Sequence, residues 1–85
     1  NYPNPFNNST VISFLVPGTG HVALDIVNML GVTVRSLVSR NMEAGNYALH
    51  WDGRDDHHNP LPSGLYMYRL KAEGVLLTRK MILME

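Results

Sequence analysis

The fold is decided by residues 65–84, which read LYMYRLKAEGVLLTRKMILM. Before Gly74, large apolar side chains recur at every second position from Tyr66 to Leu70. A period of two is typical of a β-strand that buries one face. A second apolar run follows over 75–84, and a glycine between two such runs predicts a tight β-hairpin.

The same alternation continues upstream in four further apolar runs. They cover residues 10–16, 21–29, 32–38 and 46–51, and clusters of glycine and proline separate them. The run over 32–38 alternates least cleanly, and we expect a strand there that is followed by an irregular loop. About six or seven short strands divided by turns predict an all-β fold, a small sandwich of two antiparallel sheets.

The strand faces that carry the large apolar residues define the expected core. Trp51 is the single tryptophan and is expected near its centre, where the indole N–H needs a hydrogen-bond acceptor. In the last run, residues 81–84 are continuously apolar, which predicts that both faces of that strand are covered. The expected core residues are Ile12, Phe14, Val22, Leu24, Ile26, Leu37, Tyr47, Leu49, Trp51, Tyr66, Tyr68, Leu70 and Met81.

Composition limits the classes of function. The 85 residues allow one domain, and seven basic and seven acidic side chains give a net charge of 0, which argues against nucleic-acid binding. Without cysteine the chain has no disulfide and no thiolate nucleophile. The apolar runs are too short for a transmembrane helix, and the polar start does not resemble a signal peptide. We therefore expect a single domain over 1–85 that is cut from a larger protein.

The first nine residues are expected to form an extended lead-in segment. Pro3 and Pro5 stand at alternate positions and favour an extended backbone, while Tyr2 and Phe6 can anchor it to the edge of the sandwich. The alternative is a ligand motif in polyproline II geometry.

Several motifs together resemble a known family. They are NYPNPFN at 1–7, STVISF at 9–14, VNMLG at 27–31, WDGRDD at 51–56, PSGLYMYRL at 62–70 and RKMILME at 79–85. In this order, and over nearly the whole chain, they resemble the type A C-terminal sorting domain of the type IX secretion system. That family is similar to the immunoglobulin-like domain of the flagellar hook-capping protein FlgD. The resemblance implies an immunoglobulin-like β-sandwich of about seven antiparallel strands.

The resemblance also implies a non-catalytic role in sorting. Such domains end large secreted proteins of Bacteroidetes-type bacteria, direct them across the outer membrane, and are often cleaved when the cargo is anchored. The implied partners are the outer-membrane translocon, a surface sortase-like peptidase and the upstream cargo domain. The implied location is secreted or at the cell surface, reached through the periplasm. The implied recognition residues are Arg79, Lys80, Met81, Ile82, Leu83, Met84 and Glu85. The chain departs from the family pattern at Glu85, where a basic residue is usual, and at Asn8, where proline is common.

Other functions stay open at this point. One is a structural spacer or assembly domain, as in the hook-capping family, and another is a carbohydrate-binding accessory to a secreted hydrolase. The aromatic side chains fall on predicted inner faces, which argues against carbohydrate binding. The last strand can be a covered strand of the sandwich, a surface offered to the secretion machinery, or both, since a folded strand can also carry a recognised end. Catalysis is not expected, because no serine lies in a nucleophile-elbow motif and so small a domain leaves little room for a pocket.

The acidic segment 52–56 is the sharpest chemical feature. Asp52, Asp55 and Asp56 could offer oxygens to Ca²⁺, but Asp-Gly is also a strong turn dipeptide, and we favour a turn without a cofactor. His57 and His58 follow directly and could in principle bind Zn²⁺. Adjacent side chains of an extended chain point to opposite sides, so an exposed loop tip is favoured there.

Overall fold

A computed structural model of the chain describes residues 10–84, which form six β-strands and no helix. The strands are β1 (Thr10–Val16), β2 (Gly20–Val27), β3 (Thr33–Met42), β4 (Gly45–Trp51), β5 (Gly64–Ala72) and β6 (Val75–Leu83). They form a two-stranded sheet of β1 and β4 and a four-stranded sheet in the order β3-β2-β5-β6. Every pairing is antiparallel. The all-β, two-sheet architecture is confirmed, with six strands in the described part against about seven expected.

The hairpin predicted around Gly74 is present. β5 and β6 pair along their whole length, and Ala72 lies opposite Val75 across the turn. Gly74 has a φ of 73°, in the left-handed region that glycine adopts without the steric penalty of a Cβ. The glycine turn and the alternating apolar runs on either side of it therefore both favour the same hairpin.

The third strand is longer than the sequence predicts. β3 pairs with β2 from Thr33 to Met42, and β4 begins three residues later at Gly45. The prediction of an irregular loop after residue 38 is therefore wrong. The pairing register shifts between Leu24 and Asp25, which leaves Leu37 as an extra residue in β3. A bulge of this kind breaks the period of two that marks a strand in a sequence.

The core lies between the two sheets. Trp51 is fully buried, and its ring meets that of Tyr66 edge to face at 6.1 Å between centroids, which joins β4 of one sheet to β5 of the other. The expected residues Leu37, Tyr47, Leu49, Tyr68 and Met81 are only partly buried against this core. Buried residues that the expected core omits are Val16, Val27, Val38, Met42 and Leu83.

Two aromatic side chains satisfy their polar groups on nearby backbone. The Trp51 indole Nε1–H donates to the carbonyl oxygen of Arg54 at 3.0 Å, the acceptor that its burial requires. The Tyr66 hydroxyl donates to the carbonyl oxygen of Pro62 at 2.7 Å, four residues upstream. A tyrosine that bonds back across the corner before its own strand is a hallmark of immunoglobulin-like sandwiches.

Candidate functional site

The last strand, which carries most of the predicted recognition residues, lies at an edge of the four-stranded sheet. Within residues 10–84 its only strand partner is β5, to which it pairs from Gly64 opposite Leu83 to Ala72 opposite Val75. Its other side presents backbone N–H and C=O groups with no strand beside them in the described part of the chain. Within residues 10–84, β6 is therefore an edge strand and not a central strand of the sheet.

The end of β6 alternates between buried and exposed side chains. Leu83 is 1% exposed and packs in the core, whereas Ile82 and Met84 on either side of it are 68% and 66% exposed. The prediction that both faces are covered over 81–84 is therefore wrong. Sequence reasoning failed there because a continuous apolar run has two origins, burial on both faces or an apolar surface on one.

The remaining recognition residues divide between the two faces. Met81 is half-buried and packs against the core, while Arg79 and Lys80 are exposed. Glu85 lies outside the described residues, as do the predicted lead-in segment 1–9 and its anchors Tyr2 and Phe6.

The carboxylates of the acidic segment are used by the loop itself. Oδ1 of Asp52 accepts from the backbone N–H of Arg54 at 3.1 Å, and Oδ1 of Asp55 accepts from the N–H groups of His57 and Asn59, both at 2.9 Å. Carboxylates that bond to backbone N–H groups a few residues ahead form Asx-turns. Among residues 10–84 no group of three or more acidic, histidine or cysteine side chains is arranged to hold a metal ion.

An arginine from β3 fastens this loop to the sheet. Nη1 of Arg35 donates to Oδ1 of Asp52 at 3.1 Å and to the carbonyl oxygen of Arg54 at 2.9 Å. Its Nε lies 3.9 Å from Oδ1 of Asp56, and that same oxygen accepts from the backbone N–H of Ser36 at 3.0 Å. Sequence reasoning missed Arg35, because it stands 17 residues before Asp52 and has no local pattern that links the two.

The loop hydrogen bonds also act on the acidity of Asp55. The backbone N–H of Asn59 stabilises the ionised carboxylate, and together with the N–H of His57 it lowers the pKa of Asp55 below the ordinary value of 3.8. The charge is therefore favoured by the turn that surrounds it.

The adjacent histidines form the exposed tip of the loop. His57 and His58 are both exposed, and His58 has a φ of 67°, a left-handed conformation that turns the backbone between them. The carbonyl oxygen of His58 accepts from Nη1 of Arg54 at 2.8 Å. These contacts hold the backbone of the tip and leave both imidazoles at the surface.

A surface groove of about 460 Å³ follows the outer side of β1 and β4. It is open to solvent, and its lining contains Ser13, Leu15, Asn46, Tyr47 and Ala48 together with Phe14. The Tyr47 hydroxyl donates to the carbonyl oxygen of Glu43 at 2.6 Å. The groove is shallow, and its lining offers no carboxylate or imidazole for acid–base chemistry. Residues 10–84 also contain no helix that is long and apolar enough to cross a membrane.

Comparison with solved structures places this geometry among known folds. FlgD from Helicobacter pylori matches with a TM-score of 0.65 and 18% identity, over 89% of this chain and 60% of that one. FlgD from Xanthomonas campestris, described in connection with hook capping in flagellar assembly, matches with a TM-score of 0.63 and 23% identity. The match covers 91% of this chain and 55% of that one. Dimeric latent PorU from Porphyromonas gingivalis matches at 0.67 and 22%, over 95% of this chain and 8% of that one. At these identities the matches establish the fold and no more.

The sequence itself carries a family match. No curated protein matches the chain. The chain spans 60% of the H. pylori FlgD structure, so the activities of the longer proteins do not transfer with the fold. The profile of the FlgD Ig-like domain, however, matches residues 8–74, which is most of the chain. The chain belongs to the FlgD Ig-like domain family.

Proposed function

We propose that this domain is a non-catalytic sorting and attachment module, which directs a secreted cargo protein through the type IX secretion system to the cell surface. The observation that carries the proposal is the placement of β6. The last strand lies at a sheet edge, Leu83 anchors it in the core, and Ile82 and Met84 project into solvent. A terminal strand that is held yet exposed suits recognition by another protein.

Two further findings support this proposal. The motifs that resemble type IX sorting domains lie in matching order along nearly the whole chain, and the chain belongs to a family that is similar to those domains. The fold also recurs as 8% of a much longer chain in PorU, as a small module within a large protein would. The partners of such a module are the outer-membrane translocon, a surface sortase-like peptidase and the upstream cargo domain. Its route is through the periplasm.

The test is export of a passive reporter. Residues 1–85 are fused to the C-terminus of the reporter in a bacterium that has the type IX system, and the reporter is measured at the cell surface and in the periplasm. We expect surface delivery, and we expect deletion of residues 79–85 to abolish it. A reporter that folds normally but stays in the periplasm would contradict the proposal.

A paired substitution makes the test specific for β6. Ile82→Ser with Met84→Ser removes the exposed apolar side chains of the terminal strand. Val11→Ser with Leu15→Ser does the same on β1, where both residues are also largely exposed. We expect the first pair to reduce export strongly and the second pair to leave it unchanged.

The alternative is a structural spacer or assembly domain, which the matches to FlgD favour. In that case the domain folds and supports the parent protein, and the reporter stays in the periplasm. A carbohydrate-binding role is not favoured, because the aromatic rings within residues 10–84 are withdrawn from the surface. Phe14, Trp51 and Tyr66 are buried, and Tyr47 and Tyr68 are partly buried against the core.

A further inference from the structure

One edge of β6 has no strand beside it in the described part of the chain, and this free edge can accept another strand. Along a strand, alternate residues direct their N–H and C=O groups to opposite sides, and here one side is paired with β5. The other side has no strand partner within residues 10–84. An unpaired row of this kind is a template for an extended segment that adds to the sheet.

The side chains along this edge have a distinctive charge pattern. Arg79 and Lys80 stand side by side near the middle of β6, with apolar runs before and after them. Neither has an ion-pair partner in the described part of the chain. Because neighbouring side chains of a strand point to opposite faces, one cation lies on each face of the sheet.

The neighbouring strand adds to the positive charge on the outer face. Lys80 lies opposite Met67 on β5, and the next outward positions along β5 are Arg69 and Lys71. Arg69 lies opposite Asp25 of β2, so the added positive charge beside β6 comes from Lys71. The outward positions of β5 and β6 carry no acidic side chain. The edge is therefore basic as well as apolar.

This pattern disfavours a second copy of the same strand as the occupant. If β6 pairs with β6 in antiparallel full overlap, Arg79 lies opposite Arg79. Because the same edge of both strands must meet, the neighbouring registers differ by a shift of two residues. A shift in one direction places Lys80 opposite Lys80, and a shift in the other places Arg79 opposite Leu77, which leaves only this last register without a like-charge contact. Like charges directly opposite each other destabilise a strand pair.

We propose that the free edge of β6 binds an extended segment of a partner protein in which two adjacent acidic residues are flanked on both sides by apolar residues. The two acids reach Arg79 on one face and Lys80 on the other, and the flanking residues cover Ile82 and Met84 at one end and Leu76 at the other. This inference rests on the proposed function in taking β6 as the recognised strand, and it names the chemistry of the segment that recognises it.

The test measures binding of the 85-residue chain to labelled peptides of nine residues, the length of β6. One peptide has two adjacent glutamates at its centre between valine and threonine residues, and its match has two lysines there. We expect the glutamate peptide to bind about fivefold or more tightly than the lysine peptide, because each opposed charge pair changes from repulsive to attractive. The preference should shrink as the salt concentration rises.

Charge reversal on the protein should reverse this preference. Arg79→Glu with Lys80→Glu is expected to bind the lysine peptide better than the glutamate peptide. If the double variant loses its thermal transition, Lys80→Glu alone, at an exposed outward position, takes its place. The matched control is Arg40→Glu, an exposed position on β3 at the opposite edge of the same sheet, which should leave the preference unchanged. Two glutamate peptides are N-methylated at alternate residues in complementary patterns, so that each loses the donors of one strand edge. The peptide that loses the donors facing β6 should not bind.

Four results would overturn the inference. The first is equal binding of the two peptides, and the second is binding that survives both N-methylation patterns. The third is binding of the domain to phosphatidylglycerol vesicles that the glutamate peptide does not displace. The fourth is a dimer of the domain that the double substitution Arg79→Glu with Lys80→Glu dissociates. The proposed function is judged separately by reporter export. Export without peptide preference overturns this inference alone, and peptide preference without export overturns the sorting role alone.

Discussion

Arg35 is the residue on which the long connection between β4 and β5 depends. Its guanidinium contacts Asp52, Asp56 and the carbonyl oxygen of Arg54, which also accepts the indole N–H of Trp51. We predict that Arg35→Ala lowers the free energy of unfolding by about 1–2 kcal/mol, since a partly exposed ion pair and a backbone hydrogen bond are both lost. Chemical denaturation measures this. Arg40→Ala, on the same strand, should change the free energy of unfolding by less than about 0.5 kcal/mol. Equal decreases in both variants would show that the contacts of Arg35 with the loop do not contribute to stability.

Asp55 gives the stability of the domain a pH dependence of known sign. Its pKa in the folded state is lowered below 3.8 by the backbone N–H of Asn59, so the unfolded state binds a proton more readily than the folded state. The stabilisation is present above pH 3.8 and is lost as the pH falls through the lower folded pKa. Asp55→Asn keeps an acceptor but not the charge. We predict that it is less stable than the wild type at pH 6 and that the difference in melting temperature narrows below pH 3.8. A difference that is independent of pH would contradict this.

The three aspartates of the loop, Asp52, Asp55 and Asp56, are not expected to bind calcium. Their described contacts are to backbone N–H groups and to Arg35, and a guanidinium among the carboxylates opposes a second cation. We predict that about 10 mM Ca²⁺, above the range in which weak extracellular calcium sites fill, leaves the melting temperature unchanged. Mg²⁺ at the same concentration controls for ionic strength. A rise with Ca²⁺ alone would restore the loop as a cation site.

At the scale of elements, buried and exposed side chains alternate at the end of β6, so neighbouring residues contribute differently to stability. Leu83 is almost fully buried, so Leu83→Ala removes core contacts and should lower the free energy of unfolding by about 2–5 kcal/mol. Ile82→Ala removes a side chain that is mostly in solvent and should change the same quantity by less than about 0.5 kcal/mol. Thermal melts of the two variants compare them directly. Similar losses at both positions would mean that the terminal strand is covered on both faces.

How far these elements could be predicted depends on whether local pattern decides them. Residues 10–16 and the hairpin around Gly74 were predicted correctly, because one buried face imposes a period of two on the sequence. The length of β3 was not, because a bulge beside Leu37 interrupts that period. The contact of Arg35 with Asp52 and the edge position of β6 could not be predicted either. Both follow from the spatial order of the strands in the two sheets, which no short stretch of sequence encodes.

At the scale of the whole molecule, two sheets are packed together without a disulfide bond. The chain has no cysteine, and the contact between the sheets is made by buried apolar side chains around Trp51 and Tyr66. Small extracellular domains commonly rely on disulfides, because their cores are thin. Here the satisfied indole and tyrosine hydroxyl groups allow large aromatic side chains to fill that core without an unpaired donor in either.

The same architecture predicts an uneven distribution of stability. β2 and β5 are the inner strands of the four-stranded sheet and are bonded on both sides, whereas β1 and β4 have only each other within residues 10–84. Amide hydrogens exchange fastest where local opening breaks few contacts. We therefore predict that the slowest-exchanging amides lie in β2 and β5 and that those of the β1–β4 ribbon exchange faster. Within the larger sheet, the fastest should be the alternate amides of the two edge strands, β3 and β6, that face away from their neighbours. Native-state hydrogen exchange followed by NMR resolves these positions singly. Uniform protection along β6 would show that its outer edge is already covered, and the acidic strand proposed to bind there would then have no place to add.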